Sequence, residues 1–292
     1  MRILLLVLAM LFGPFSHLYA QVSVEVVLDQ EHFLIGEDLP AAVRITNRSG
    51  QTLHLGSEPG WLTFSIESRD GFIVAKSGDA PALGGFDLES GQVATRRVEL
   101  APYFALSRIG RYQIIATVRI KEWNTQVTTK PKSFDIIHGA RIWSQDFGVP
   151  QTSGITAGRP EVRRYTLEQA SYLRSQLRLY LRLTDSEGSV IKVFSLGPMT
   201  SVSDPEHQID RESRLHVLYQ NGARSFIYTV VNPDGDVVVR QTHDYANTRP
   251  RLQLSEDNNV VVAGGARRIA ASDVPVAKPI ETDVPETPPQ LP

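Results

Sequence analysis

The sequence predicts an all-β chain built as two tandem sheet domains, and three observations carry that prediction. Apolar residues alternate with polar ones along many short runs, the pattern of strands with one covered face. Clusters of Gly, Asn, Asp and Ser interrupt those runs at short intervals, as turns between strands require. A strand–turn–strand unit then recurs in the second half. Sliding Pro205 onto Pro250, a shift of 250 − 205 = 45 residues, sets Gln208 over Gln253, Ile209 over Leu254 and Leu215-His216-Val217 over Val260-Val261-Val262.

The totals narrow the function classes. A formal charge of −2 gives no electrostatic ground for nucleic acid or an anionic membrane as partner. A hydrophobic content of 41% supplies side chains for two cores of ordinary size. The absence of cysteine excludes disulfides, thiol nucleophiles and thiolate metal sites, so packing and ladder hydrogen bonds must hold the fold.

Met1 to Ala20 reads as a secretory signal: Arg2 is the positive start, Ile3 to Phe15 is almost unbroken apolar, and Ala20 suits cleavage before Gln21. The apolar run is shorter than the roughly 20 residues a helix needs to cross a bilayer. The expected setting is the bacterial periplasm or the exterior, which also suits a chain without disulfides.

Residues 21–139 form the first expected domain. Val22, Val24 and Val26 share a strand face, as do Val43 and Ile45, and Leu62, Phe64 and Ile66. Tyr112, Ile114, Ala116, Val118 and Ile120 give the longest alternation. Turns fall at Ile35-Gly36-Glu37, Asn47-Arg48-Ser49-Gly50, Arg69-Asp70-Gly71 and Glu89-Ser90-Gly91. About seven strands at this spacing predict an immunoglobulin-like sandwich.

The stretch FLIGEDLPAAVRITNRSGQTLHL, with Trp61 to Ile66 after it, is similar to immunoglobulin-like domains of secreted and envelope bacterial proteins, and more loosely to the proteinase-inhibitor family sharing that sandwich. Ser107 to Tyr112 resembles their penultimate-strand signature, in which the tyrosine closes a corner. The resemblance implies a fold and an exported setting, and it carries no catalytic residue. The second half resembles secreted bacterial β-repeat proteins, which adds no activity.

Residues 140–160, rich in Gly and Pro, read as the interdomain joint, with Trp143 and Phe147 packing it against a domain. Residues 161–270 form a second β-domain of duplicated antiparallel meanders, resembling part of a propeller without enough repeats to close one. Tyr165 to Gln176 suits a helix opened by Thr166 and Gln169 or a strand, and the repeat favours the strand. Asn232-Pro233-Asp234-Gly235 predicts a type I turn. Residues 271–292 read as a disordered tail, with six prolines among the last 21 residues.

Candidate chemistry is sparse. Arg163, Arg164, Arg174, Arg178 and Arg182 concentrate positive charge, and alternation places Arg178, Tyr180 and Arg182 on one strand face, opposite Leu177, Leu179, Leu181 and Leu183. Two arginines flanking an exposed aromatic would grip an acidic polymer or a glycan. Asp204, Glu206, His207 and Asp210 could supply ligands to a divalent cation, but a solvated turn and edge strand explains them as well. His243 reads as a surface histidine at a strand end, and His32, His54 and His138 are scattered. No nucleophile elbow, zinc-protease helix or phosphate loop is spelled out.

These residues call for no catalytic, metal or cofactor site. They point to an exported, non-enzymatic binding or structural protein of the cell envelope that meets a protein or glycan partner through sheet faces and loops. One alternative is an accessory factor or inhibitor of an extracytoplasmic hydrolase acting through the Lys76 to Phe86 loop. Another is a hydrolase using carboxylates near 204–210.

Overall fold

A computed structural model of the chain describes residues 22–82, 84–150, 161–173 and 176–274. The expected export leader, residues 151–160 of the expected joint and the tail beyond 274 lie outside the described residues. Contacts divide the chain between His138 and Gly139 into two units, with the stretch from Ser171 grouped with the first. The described residues are strands and turns with one short 3-10 segment at Ala101–Tyr103.

The first unit contains β1 (Val22–Leu28), β2 (His32–Leu34), β3 (Pro40–Asn47), β4 (Leu53–Leu55), β5 (Leu62–Ser68), β6 (Phe86–Leu88), β7 (Val93–Glu99), β8 (Gly110–Ile120), β9 (Thr125–Thr128) and β10 (Lys132–Ile137). One sheet runs β1-β3-β7 and the other β2-β10-β8-β5, with β9 on β8 and a separate β4-β6 pair. This is the expected immunoglobulin-like sandwich. The alternation of β8 explains its place: Tyr112, Ile114, Ala116, Val118 and Ile120 are all fully buried, and the residues between them face outward. They meet Val26, Val43 and Ile45 of the opposite sheet, and each large apolar side chain so covered contributes about 1.5–3 kcal/mol. The Tyr112 hydroxyl donates to the Arg108 carbonyl at 2.7 Å, closing the corner at the start of β8. Burial pushes that hydroxyl's pKa upward.

The second unit is a sandwich of two meanders. Its first sheet is β11 (Ala140–Gly148), β12 (Val162–Leu173), β13 (Gln176–Asp185) and β14 (Val190–Pro198) in sequential order. Its second is β15 (Glu206–Ile209), β16 (Leu215–Gln220), β17 (Ser225–Val231), β18 (Val237–Asp244) and β21 (Ala266–Arg268), and the hairpin β19 (Arg251–Leu254) and β20 (Val260–Ala263) stands apart. Leu179, Leu181, Leu183 and Leu196 of the first sheet pack on Leu215, Val217, Tyr219, Ile227 and Val231 of the second. The opposite face of β16 and β17 is also covered, with Leu218, Phe226, Tyr228 and Val230 packed by Leu252 and Val262 of the β19–β20 hairpin. The meanders therefore stack face to face and do not radiate as blades.

One turn design joins four hairpins of this unit. Asp185, Asp210, Asn232 and Ser255 each open a loop in which the opening N–H bonds the carbonyl four residues on, and the N–H three residues on bonds back. The residue three on is left-handed each time: Gly188 at φ 85°, Ser213 at 60°, Gly235 at 82° and Asn258 at 64°. That is a type I turn completed by a bulge, a standard three-residue hairpin loop. The opening side chain accepts the N–H four residues on in all four loops. The 45-residue repeat is present in the ladder itself. Glu206 pairs Leu218 and Ile209 pairs Leu215, and Arg251 pairs Ala263 and Leu254 pairs Val260, every position displaced by 251 − 206 = 45.

Two boundaries differ from expectation. Residues 140–148 form β11, an edge strand held along its length by β12, because Phe147 stacks on Tyr165 at 4.1 Å and supplies an anchor that outweighs the local Gly and Pro. The first residues of the expected tail are also docked. Val274 N–H bonds the Arg240 carbonyl at 3.0 Å, and Asp273 accepts from Thr242 and Arg267. Tyr165 to Leu173 is strand.

Candidate functional site

A cleft of about 480 Å³ opens in the first unit, between β4 with its following loop and the end of β8. Local sequence builds it. Gly56 turns the chain out of β4 at φ 82°, and a Cβ there would lie 2.4 Å from the Gly84 carbonyl oxygen, so only glycine fits. The chain then passes Pro59 and drops Trp61 into the sandwich at 5% exposure. Its indole N–H donates to the Ala82 carbonyl at 2.7 Å, and Phe86 meets it edge to face at 5.8 Å. With that N–H occupied, Trp61, Leu55 and Pro59 give the cleft a carbon surface.

The rim is charged in both signs. Glu58 pairs with Lys121, which together with Arg119 holds the Glu58 carboxyl below its ordinary range. The exposed His54 ring lies 2.6 Å from Asp87, whose carboxylate raises the imidazole pKa. The His54 backbone N–H donates to Glu122 at 2.8 Å. The arrangement offers an apolar seat, a backbone donor at its wall and cations beside it, which suits holding a ligand with one apolar and one anionic group.

The sequence candidates fare differently. Tyr180 is 1% exposed, so the expected aromatic grip of Arg178, Tyr180 and Arg182 does not lie open. The first sheet of this unit is covered on both faces at that point, which alternation in one strand does not reveal. The arginines of this stretch are matched by carboxylates: Arg163 by Glu161 two residues before it and by the remote Asp234, Arg164 by Asp146, and Arg182 by Glu168. Arg174 lies outside the residues with described side chains. The Lys76 to Phe86 loop is exposed over most of its described residues but anchored at its start. Lys76 Nζ bonds the Phe64 carbonyl, Ser77 N–H bonds Tyr103, and Ala80 is buried.

The acidic stretch near 204–210 is divided among separate tasks. Glu206 accepts from Arg251 and from the Leu252 N–H, both at the neighbouring hairpin. His207 lies against the Trp143 ring at 4.3 Å. Asp210 serves its own turn with one oxygen, and with the other takes Arg214 Nε at 2.7 Å and His216 Nε2 at 3.0 Å. Among the described residues no three His, Asp or Glu side chains gather as a cation site.

Asp210 also anchors a buried relay that the sequence did not announce. His216 Nδ1 lies 2.7 Å from the Tyr228 hydroxyl, so Tyr228 donates to a neutral imidazole that in turn donates to Asp210. Burial lowers the His216 pKa despite Asp210, and pushes that of Tyr228 up to about 12. The Asp210 carboxyl is held below its ordinary range by His216 and Arg214, against the effect of its burial. His243, expected at the surface, is 7% exposed and meets the Tyr228 ring edge to face. Its register partner Phe226 fixes it to the covered outer face of the sheet. Every polar atom of this relay is satisfied inside the protein, which makes it a packing element.

No protein-family model matches the sequence, and no curated protein matches it. Two solved structures are similar in part: a sporulation control protein, Spo0M, from Bacillus subtilis (8% identity, 61% of this chain and 91% of that one, TM-score 0.28), and the YadV chaperone (11% identity, 84% and 100%, TM-score 0.22). Likenesses of that size carry no argument about fold or site.

Proposed function

We propose that this chain is an exported, non-enzymatic binding protein that engages a protein partner through the cleft of its first sandwich. The reading rests on one observation: an open cleft with an apolar floor of Leu55, Pro59 and Trp61 and a rim of paired charges. A protein side chain suits it better than a sugar, because Trp61 is too buried to present a ring face. Glu206 and Asp210, two carboxylates of the hydrolase alternative, are engaged in internal bonds, which favours the binding reading. The inhibitor alternative is less favoured, because its loop is tied down at Lys76 and Ala80. The export leader supports a periplasmic or extracellular setting, and deletion of residues 1–20 should leave the chain in the cytoplasm.

The test places a photo-crosslinking amino acid at Pro59, on the exposed lip of the cleft, and at Val190 in the second unit as a control. Irradiation in the envelope fraction should capture one saturable protein species from Pro59 and none from Val190. Equal, unsaturable capture at both positions would refute the reading.

A further inference from the structure

We propose, resting on that reading of the cleft, that it captures the free C-terminal carboxylate of a partner polypeptide whose last residue is apolar. The protein marks the position itself. Among the described residues β4 pairs with β6 alone, in a two-stranded sheet, and its three residues face their partners as Leu53 to Leu88, His54 to Asp87 and Leu55 to Phe86. Successive residues of a strand direct their N–H groups to opposite edges. The His54 N–H leaves by the edge away from β6, and no strand among the described residues meets it there. A carboxylate oxygen of Glu122 accepts it at 2.8 Å instead.

Glu122 is an exposed residue on the turn after β8, so its carboxylate can swing into water at little loss. A ligand carboxylate taking its place keeps the same charge-assisted bond and adds the cations of Lys121 and Arg119, which line the same cleft. Beside this point the floor offers only carbon, since the Trp61 N–H is already bonded to Ala82. The ligand therefore needs an anionic group and an apolar group on a single residue. An internal Asp or Glu has the first without the second, and an internal Leu or Val the second without the first. A chain terminus ending in such an apolar residue has both.

The test titrates the mature chain with the peptide acetyl-Thr-Ser-Thr-Val-Leu, as the free acid and as the C-terminal amide, by calorimetry. The acid should bind at least about ten-fold more tightly than the amide, the value of one charge-assisted contact. Glu122→Ala should bind the acid several-fold more tightly, because it removes the internal competitor, and Arg119→Ala several-fold more weakly. Equal binding of acid and amide, or weaker binding by Glu122→Ala at an unchanged Tm, would overturn carboxylate capture. Binding of decanoate with neither peptide would assign the site to free fatty acids and overturn the polypeptide ligand. If no probe binds while the Pro59 crosslink persists, this inference fails and the cleft reading stands. If the crosslink is also lost, both fail.

Discussion

Replacing the opening residue of two like turns separates what the turn needs from what the buried relay needs. Asp185 and Asp210 open loops of one geometry, and each accepts two backbone N–H groups through Oδ1. Asp185→Ala loses those two exposed bonds, and should cost about 1 kcal/mol. Asp210→Ala loses the same pair and also strands the His216 Nε2–H, on a side chain that is 6% exposed, while the half-exposed Arg214 keeps its pair with Glu212. Orphaning that buried donor adds about 1–3 kcal/mol, so the total should reach about 2–4 kcal/mol. Native-state hydrogen exchange of the β17 amides reads this in the second unit alone, whatever the first unit does. An Asp210→Ala cost no greater than that of Asp185→Ala would refute the claim that the relay is a stabilising element.

Four further outcomes follow from the same contacts. The His216 and His243 pKa values are lowered by burial, so their stabilising share is complete above the ordinary 6.5 and is lost as pH falls below it; Asp210, held below its ordinary 3.8, keeps its share until still lower pH. Exchange-derived stability of the second unit should therefore decline as pH falls below about 6.5, and H216Q/H243Q should flatten that decline. Tyr112→Phe should cost the first unit about 1–2 kcal/mol in urea unfolding by stranding the Arg108 carbonyl. Gly188→Ala, whose Cβ would meet open space, should cost about 1 kcal/mol for its positive φ alone, and Gly235→Ala more, because its Cβ would press on Lys192 at 3.0 Å and Leu183 at 3.3 Å. Arg182→Ala, breaking a mostly buried pair with Glu168, should lower the melting temperature measurably, whereas Arg164→Ala at its exposed pair with Asp146 should not.

Legibility in the sequence followed the range of the interaction. Period-2 alternation is local, so β8 and the Leu177 to Leu183 face could be read directly, and so could the Asn232 turn, where Pro and Gly sit at the positions its dihedrals demand. Tyr180 was misread because burial of a strand's second face depends on what lies across it, which the strand does not encode. The same limit hid the carboxylates of Arg163 and Arg182, which arrive from 71 and 14 residues away. The composition of β11 favours turns and reads as a linker, while its hold is the remote Tyr165 ring. The cleft left only a faint trace: a tryptophan after Gly56-Ser57-Glu58-Pro59-Gly60, and a charged pair at Lys121-Glu122. Nothing in the chain says that these two stretches meet.

The 45-residue repeat shows how one inherited geometry takes on unequal duties. Asp210 and Ser255 hold the same place, as do Ser213 and Asn258, and the ladder registers are superimposable. The turn needs only a short side chain with an acceptor, which serine supplies as well as aspartate. The relay needs more. His216 is 6% exposed, and its counterpart Val261 is 40% exposed and has no polar group to satisfy. Burial of an imidazole in one copy thus requires the carboxylate there, and the exposed copy has no such demand. The two copies then clasp each other at equivalent positions, Glu206 accepting from Arg251 at 2.9 Å and from the Leu252 N–H at 2.8 Å. Leu252 and Val262 thereby come over Leu218 and Tyr228, the cover that makes the outer face of β16 dry and the relay necessary. The second copy therefore creates the environment that constrains the first.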